Sequence, residues 1–359
     1  MINNSFFSTE ILRWFRENGR ELPWRETRDP YAIWLSEIIL QQTRIAQGWE
    51  YWERFMQTYP QVEDLAAASE DDVLKLWQGL GYYSRARNLH AAARQIVALG
   101  EFPNTLDGIK SLKGVGDYTA AAIGSFAFNL PAAVVDGNVY RVLSRYFGID
   151  TPINSTQGKK EFAALAQSLL PASEAAAYNQ GMMDFGAIQC TPQSPKCLLC
   201  PLAETCEALR NGRVEELPVK NKTVKVKTRH LSYVYIRYKA PALESQAEAE
   251  NHAETEKHAE AESWIAIHRR GEGDIWQGLW EPYNISDMKE LPSFVKDPIL
   301  LAKDVKHVLT HRILLADFYL LEVEKRPSLP DDYIWIKESD IENYGVPRLI
   351  EIMLDKIHQ

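Results

Sequence analysis

Four cysteines fall in one window as Cys190-x6-Cys197-x2-Cys200-x5-Cys206, with none elsewhere in the 359 residues. Thiolates held on short loops converge on one centre, and four of them suit either tetrahedral zinc or a cubane iron–sulfur cluster. Paired disulfides would need an oxidising compartment. Zinc ribbons usually carry two Cys-x2-Cys pairs and this window has one, which favours the cluster. Ahead of the cysteines, Leu112-Lys113-Gly114-Val115-Gly116-Asp117-Tyr118 sets two glycines at a turn. Gly114 and Gly116 permit positive φ and leave backbone N–H groups bare at a helix N-terminus, where phosphate oxygens bind well. Eighteen residues past Tyr118, Asp136 stands between Val134-Val135 and Gly137-Asn138, where taken alone it reads as the cap of the next helix. Glu37 lies among Leu35, Ile38, Ile39 and Leu40. A carboxyl group in apolar surroundings prefers its neutral form, which suits a general acid.

Helices must position these groups. From Phe6 to about Arg213 the chain reads as helices with short breaks and capping signals at Asp29 before Pro30, Ser69 before Glu70, and Ser173 before Glu174. The hairpin falls between a short helix, Leu106 to Ser111, and a longer apolar one, Tyr118 to Phe128. From His230 the period changes to strands at Leu231–Tyr238, Ser263–His268 and Tyr333–Ile336, with a closing helix at Arg348–Ile357. The join, residues 214–228, is rich in Lys and Val with Pro218, and reads as a surface linker. Residues 240–262 repeat Ala-Glu and His-Ala-Glu and read as a solvated acidic insertion without function.

The length exceeds one hydrophobic core, and 45% hydrophobic content is ordinary for a folded, cytoplasmic enzyme. No apolar run approaches the roughly 20 residues a membrane span needs, so no membrane partner is expected. The net charge of −9 gives no bulk attraction for nucleic acid, but most of it lies in the acidic insertion, where seven Glu face Lys257. Any DNA contact must come from local amides and placed cations.

Hairpin, Asp136 and cysteine tail together resemble the helix-hairpin-helix DNA glycosylases that carry iron–sulfur clusters. The endonuclease III branch has a lysine two residues past the hairpin, which forms a Schiff base and cuts the strand. Tyr118 stands there, and a phenol cannot form an imine. That residue matches the MutY branch of adenine glycosylases, as do Leu22-Pro23-Trp24-Arg25, the stretch from Ile33 to Thr43, the stretch from Leu76 to Leu89, and Asn179-Gln180. The resemblance implies a monofunctional enzyme, acting as a monomer, that excises adenine opposite 8-oxoguanine or guanine in double-stranded DNA. It implies a 4Fe-4S cluster on Cys190, Cys197, Cys200 and Cys206. It gives Glu37 the role of acid that protonates adenine N7 and later activates water, and gives Asp136 that of carboxylate facing the cationic sugar. Asn138 and Tyr118 would hold Asp136 and the water. Gln42 and Thr43 would fill the helix beside the lesion, with Leu80 and Tyr82 inserting beside the opposite base and Arg25, Leu40 and Gln180 lining the base pocket. Tyr140 replaces a lysine found in some members. A bifunctional glycosylase and lyase, and a non-catalytic cluster protein that binds DNA, are the alternatives.

Gly278-Leu279-Trp280-Glu281-Pro282 resembles the Nudix-like domain of the same branch. The Glu-rich helix that holds magnesium in true Nudix hydrolases does not follow, so hydrolysis is not expected. Leu309-Thr310-His311 corresponds to the loop that reads 8-oxoguanine, with Leu309 in place of an aromatic ring. The expected architecture is therefore an all-α helix-hairpin-helix domain with an iron–sulfur module, then an α+β Nudix-like domain. Residues 1–213 form the first, with a six-helix barrel at about 22–130 and a cluster module of 1–21 plus 131–213. Residues 229–359 form the second.

Overall fold

The computed structural model describes residues 4–221, 226–240, 262–286 and 288–358. Residues 241–261, nearly all of the acidic insertion, lie outside the described residues, as do 222–225 of the linker. Internal contacts divide the chain into two units, Met1–Ala67 with Asn88–Thr223 and Ala68–Arg87 with Val224–Gln359. The grouping of residues 68–87 with the C-terminal unit was not foreseen from sequence.

In chain order the helices are α1 (Asn4–Asn18), α2 (Pro30–Ile39), α3 (Ile45–Thr58), α4 (Val62–Ala67), α5 (Glu70–Leu76) and α6 (Ser84–Leu99). They continue with α7 (Leu106–Lys110), α8 (Asp117–Phe128), α9 (Gly137–Phe147), α10 (Thr156–Leu169), α11 (Ala175–Asp184) and α12 (Glu207–Arg210). Asp29 caps α2 by accepting from the N–H of Tyr31, and Ser69 caps α5 by accepting from that of Asp72. Ser173 is not a cap: it lies inside a 3-10 turn, Ala172–Glu174, and α11 starts without a side-chain cap. Helix α8 has apolar residues all round and is buried from Thr119 to Ala127. Its Ala121, Ala122 and Phe126 pack with Ile33 of α2, fixing the helix that carries Glu37 against the helix that carries Tyr118. A second core joins Phe7, Ile11 and Trp14 of α1 to Val142 and Leu143 of α9, Phe162 of α10 and Met182 of α11. Each such side chain contributes about 1.5–3 kcal/mol when fully buried, which holds the N-terminal helix beside the segment leading to the cysteines.

The linker is not a free surface strand over its first half. Leu217 is buried, its carbonyl accepts from Nε of Arg145 at 3.0 Å, and the N–H of Ile153 donates to the carbonyl of Val219 at 3.0 Å. Its last residues enter β1 (Lys227–Lys239).

The other strands of the second unit are β2 (Ser263–Arg269), β3 (Trp280–Glu281), β4 (Tyr283–Asn284), β5 (Ile299–Val308), β6 (Arg312–Val323) and β7 (Tyr333–Lys337), followed by α13 (Arg348–Ile357). The sheet order is β3-β2-β1-β6-β5, with β4 on β1 and β7 on β2. The pairing of β1 with β6 is parallel, and all others are antiparallel. Leu349, Ile350 and Met353 of α13 cover one sheet face against Tyr233, Ile265, Leu314 and Phe318. Strands β5 and β6 were missed by the sequence reading. Along β6 the unbroken apolar run Ile313-Leu314-Leu315-Ala316 hides the alternation, although Leu314, Ala316 and Phe318 are the buried set. Strand β5 lies at the sheet edge and is largely exposed, so its apolar and charged residues carry no clean period.

Candidate active site

Helix α2 is buried from Tyr31 to Ile39 on every face, so Glu37 has no wet side to turn to and is 7% exposed. Burial, the largest cause, raises its pKa from the ordinary carboxylate value to about 7, and the negative charge of Asp136 adds to the rise. A hydrogen bond from Tyr118 and the positive charge of Arg25 pull the other way. The phenol of Tyr118 donates to Oε2 of Glu37 at 3.2 Å. Tyr118 therefore orients the acid directly.

Asp136 is both the cap and a site carboxylate. Its Oδ1 accepts from the N–H groups of Asn138 at 2.9 Å and Val139 at 2.8 Å, starting α9, and its Oδ2 accepts from Nδ2 of Asn138 at 2.7 Å. Burial pushes its pKa up, and these bonds to Val139 and Asn138 oppose it. A carboxylate fixed by three donors cannot swing away, so its negative charge is pre-aimed. Arg141, which the sequence reading passed over, holds Asn138 in turn: Nη2 donates to Oδ1 of Asn138 at 2.8 Å and Nε to the carbonyl of Cys190 at 2.8 Å. Tyr140 turns elsewhere and packs edge-on against Phe162.

Arg25, Leu40 and Gln180 line one small cavity with Glu37, as the sequence reading grouped them. Leu40 is thus a wall of the cavity rather than plain core. The cavity holds about 50 Å³, room for one or two waters and too little for a purine. Arg20 joins the wall, and both arginines meet the fully buried Asp184. Gln42 and Thr43 follow α2 on a loop where Gln42 is exposed with φ of 59°.

The two glycines of the hairpin differ. At Gly114 φ is 79° and a Cβ would come within 2.7 Å of Cβ of Asn88, so both backbone and space demand glycine. At Gly116 a Cβ would meet nothing, and the residue caps α8 without any side-chain bond. What glycine secures there is bare N–H groups at an exposed helix start, open to a phosphate.

Cys190, Cys197, Cys200 and Cys206 line one common cavity and are all free thiols. Among the described residues no three His, Cys, Asp or Glu stand close enough to share a single metal ion. Arg145 donates to Sγ of Cys190 at 3.4 Å and to the carbonyl of Thr191 at 2.7 Å, a cation placed for a negatively charged centre. Burial pushes the Cys200 thiol up to about 12 and also raises the thiols of Cys197 and Cys206, so these three ionise on binding metal.

In the second unit, Leu309-Thr310-His311 forms the turn between β5 and β6, closed by the N–H of Leu309 donating to the carbonyl of Arg312 at 2.8 Å. Leu309 is half-buried against the sheet core, so it anchors the turn, while Thr310 and His311 are exposed. The Thr310 hydroxyl is hydrogen-bonded to that of Tyr82, whose ring is 44% exposed on a backbone with φ of 46°. Leu80 is buried, and in this conformation it packs rather than projecting as a wedge. Strands β3 and β4, not a helix, follow Gly278, and Glu281 is bound by Arg270, His268 and Asn284. No helix among the described residues is long and apolar enough to cross a membrane.

Three family models match: the HhH-GPD superfamily of base excision DNA repair proteins over residues 35–171, the iron–sulfur binding domain of endonuclease III over residues 190–206, and a NUDIX domain over residues 258–356. The chain therefore carries a 4Fe-4S module. A thermostable thymine-DNA glycosylase is similar with a TM-score of 0.54 and 34% identity, covering 58% of this chain and 97% of its own. A trapped endonuclease III–DNA covalent intermediate is similar with a TM-score of 0.51 and 25% identity, covering 59% of this chain and 99% of its own. Among curated proteins, the adenine DNA glycosylase of Buchnera aphidicola subsp. Acyrthosiphon pisum is 39% identical over 60% of this chain and 62% of its own length. That of Mus musculus is 42% identical over 59% of this chain and 44% of its own, so against these two the chain spans less than two thirds of the relative. The adenine DNA glycosylase of Buchnera aphidicola subsp. Baizongia pistaciae is 30% identical over 98% of this chain and 96% of its own length. An α-helical glycosylase unit with a buried acid, an iron–sulfur module, a NUDIX-type sheet and a relative matched nearly end to end agree, and the chain belongs to the adenine DNA glycosylase family.

Proposed function

We propose that this chain is a monofunctional DNA glycosylase that hydrolyses the bond between adenine and its sugar where adenine faces 8-oxoguanine or guanine. The carrying observation is Glu37: a buried acid with a pKa near 7, in the wall of a cavity and within reach of Tyr118. Adenine leaves poorly as an anion. Protonation of N7 by Glu37 makes it a neutral leaving group, and the resulting carboxylate then takes a proton from water. As the bond breaks the sugar becomes cationic, and Asp136, fixed by Asn138 and the α9 amides, faces that charge. No lysine occupies the Tyr118 position, so no Schiff base forms and the strand stays whole.

The base must leave the stack to reach Glu37, and the cavity must widen to admit it. Gly114 and Gly116 offer amides to the DNA backbone. Gln42 and Thr43 enter the gap in the stack, and Tyr82, with Thr310 and His311, reads the opposite base. Cys190, Cys197, Cys200 and Cys206 would hold the cluster, which supplies an iron–thiolate clasp for its loop. In single-turnover assays on duplex DNA, Asp136→Asn should abolish adenine release while leaving DNA affinity in place. Normal release by that variant sinks the assignment. Comparing adenine opposite 8-oxoguanine with adenine opposite guanine tests the finer claim, with faster release expected opposite the lesion.

A further inference from the structure

Asp184 is the most buried carboxylate near the site and no step above uses it. Its side chain is 0% exposed, at the end of α11. The carboxylate accepts five donations: from the backbone N–H of Arg20 at 2.9 Å, Nε of Arg20 at 2.8 Å, Nη2 of Arg20, Nη1 of Arg25 at 2.8 Å and Nη2 of Arg25 at 2.9 Å. Nη1 of Arg25 also donates to the carbonyl of Arg20 at 3.0 Å, so both its hydrogens are taken. The Arg25 side chain is only 12% exposed. Arg25 and Glu37 line the same cavity, and among its described lining residues Glu37 is the one acid.

A buried guanidinium needs a carboxylate, and two compete for this one. We propose that Asp184 is a positioning residue that anchors Arg25 and thereby prevents its guanidinium from pairing with Glu37. The inference rests on the reading of Glu37 as the general acid. If Arg25 paired with Glu37, the carboxylate would be held ionised and could not deliver a proton. With Asp184 in place, the pocket keeps a cation and a neutral acid side by side. The bidentate fork matters here, because two parallel N–H···O bonds fix both the position and the plane of the guanidinium. The remaining titratable groups around Glu37 are Tyr118 from α8, Asp136 at the start of α9, and Arg20 in the cavity wall, a second cation that Asp184 also holds. Burial would by itself raise the Asp184 carboxyl, but the two arginines hold it below the usual carboxylate range, so it stays charged as the anchor requires.

The test is the pH profile of single-turnover adenine release by the holoenzyme, on adenine opposite 8-oxoguanine, between about pH 5 and pH 9, where the position of the alkaline limb reports the acid. Asp184→Asn should move the alkaline limb to lower pH, so that its rate loss is at least about tenfold greater at pH 8 than at pH 5.5. Asp184→Glu should keep the parental limb. Asp184→Asn combined with Arg20→Met and Arg25→Met should return the limb to the parental position or above, because both freed cations are gone, although the rate stays low. A merely structural Asp184 predicts a uniform loss with the limb unmoved in both, and that result overturns the proposal. Cluster absorbance and circular dichroism check each variant's fold. If Asp184→Asn fails to fold, Arg25→Met alone still decides, since removing the cation should move the limb to higher pH and an unmoved limb overturns the anchor. A parent that releases no adenine instead sinks the functional reading, a separate failure.

Discussion

Replacing Glu37 with Gln should abolish base release and at the same time stabilise the protein at alkaline pH. Glu37 rises from an ordinary 4.5 to about 7 in the folded chain. At about 1.4 kcal/mol per unit, that rise means roughly 3 kcal/mol less stability once the group is ionised in both states. The sign follows from proton binding. Between pH 4.5 and 7 the folded state holds the proton more tightly than the unfolded state, so its advantage is complete below that window and lost as pH rises through it. Gln cannot ionise, fits the same space and still offers a carbonyl oxygen to the Tyr118 phenol. Glu37→Gln should therefore exceed the parent in stability by about 1.4 kcal/mol at pH 5.5 and by about 3 kcal/mol at pH 8.5. Urea unfolding of parent and variant at the two pH values measures the gap. An equal gap at both, or a variant less stable than the parent at pH 8.5, would refute the placement of Glu37 as a buried, proton-holding acid.

The remaining predictions follow the same contacts. Tyr118→Phe removes the one hydrogen bond that lowers the Glu37 pKa, so the alkaline limb of base release should move to higher pH in a rate–pH profile. Gly114→Ala forces a side chain to φ of 79° against Asn88, and should lower the melting temperature. Gly116→Ala meets open space and should melt like the parent while binding duplex DNA more weakly, as read by fluorescence anisotropy. Arg141→Gln breaks the bonds to Asn138 and the Cys190 carbonyl together. It should slow adenine release at least tenfold and also speed loss of the cluster's visible absorbance, since about 1.4 kcal/mol of misplacement costs a factor of ten.

What the sequence made legible was local. The cysteine window, the glycine turn, the Asp136 cap and the apolar helix around Glu37 are each read within fewer than twenty residues, and the structure shows the cysteines on one cavity, the cap on α9 and Glu37 buried. What stayed hidden was long-range. Asp184 meets Arg25 across 159 residues, and nothing in Met182-Met183-Asp184-Phe185 announces two arginine partners. Arg141 and Arg145 repeat at a helical spacing, and this was the available signal, because two cations four apart on the buried face of α9 must find acceptors within the fold. The Tyr82–Thr310 bond, 228 residues apart, could not be inferred from either loop. The second unit was partly legible because β1, β2 and β7 carry strand-like residues, whereas the continuous apolar run of β6 masks its alternation.

Monofunctional chemistry at this site means that adenine leaves without the strand being cut. The holoenzyme should be incubated with duplex DNA bearing one adenine opposite 8-oxoguanine, measuring free adenine and strand length before and after alkali. Free adenine is expected, with a full-length strand that breaks only on alkali treatment. A strand nicked before alkali, or no adenine released, would contradict that chemistry.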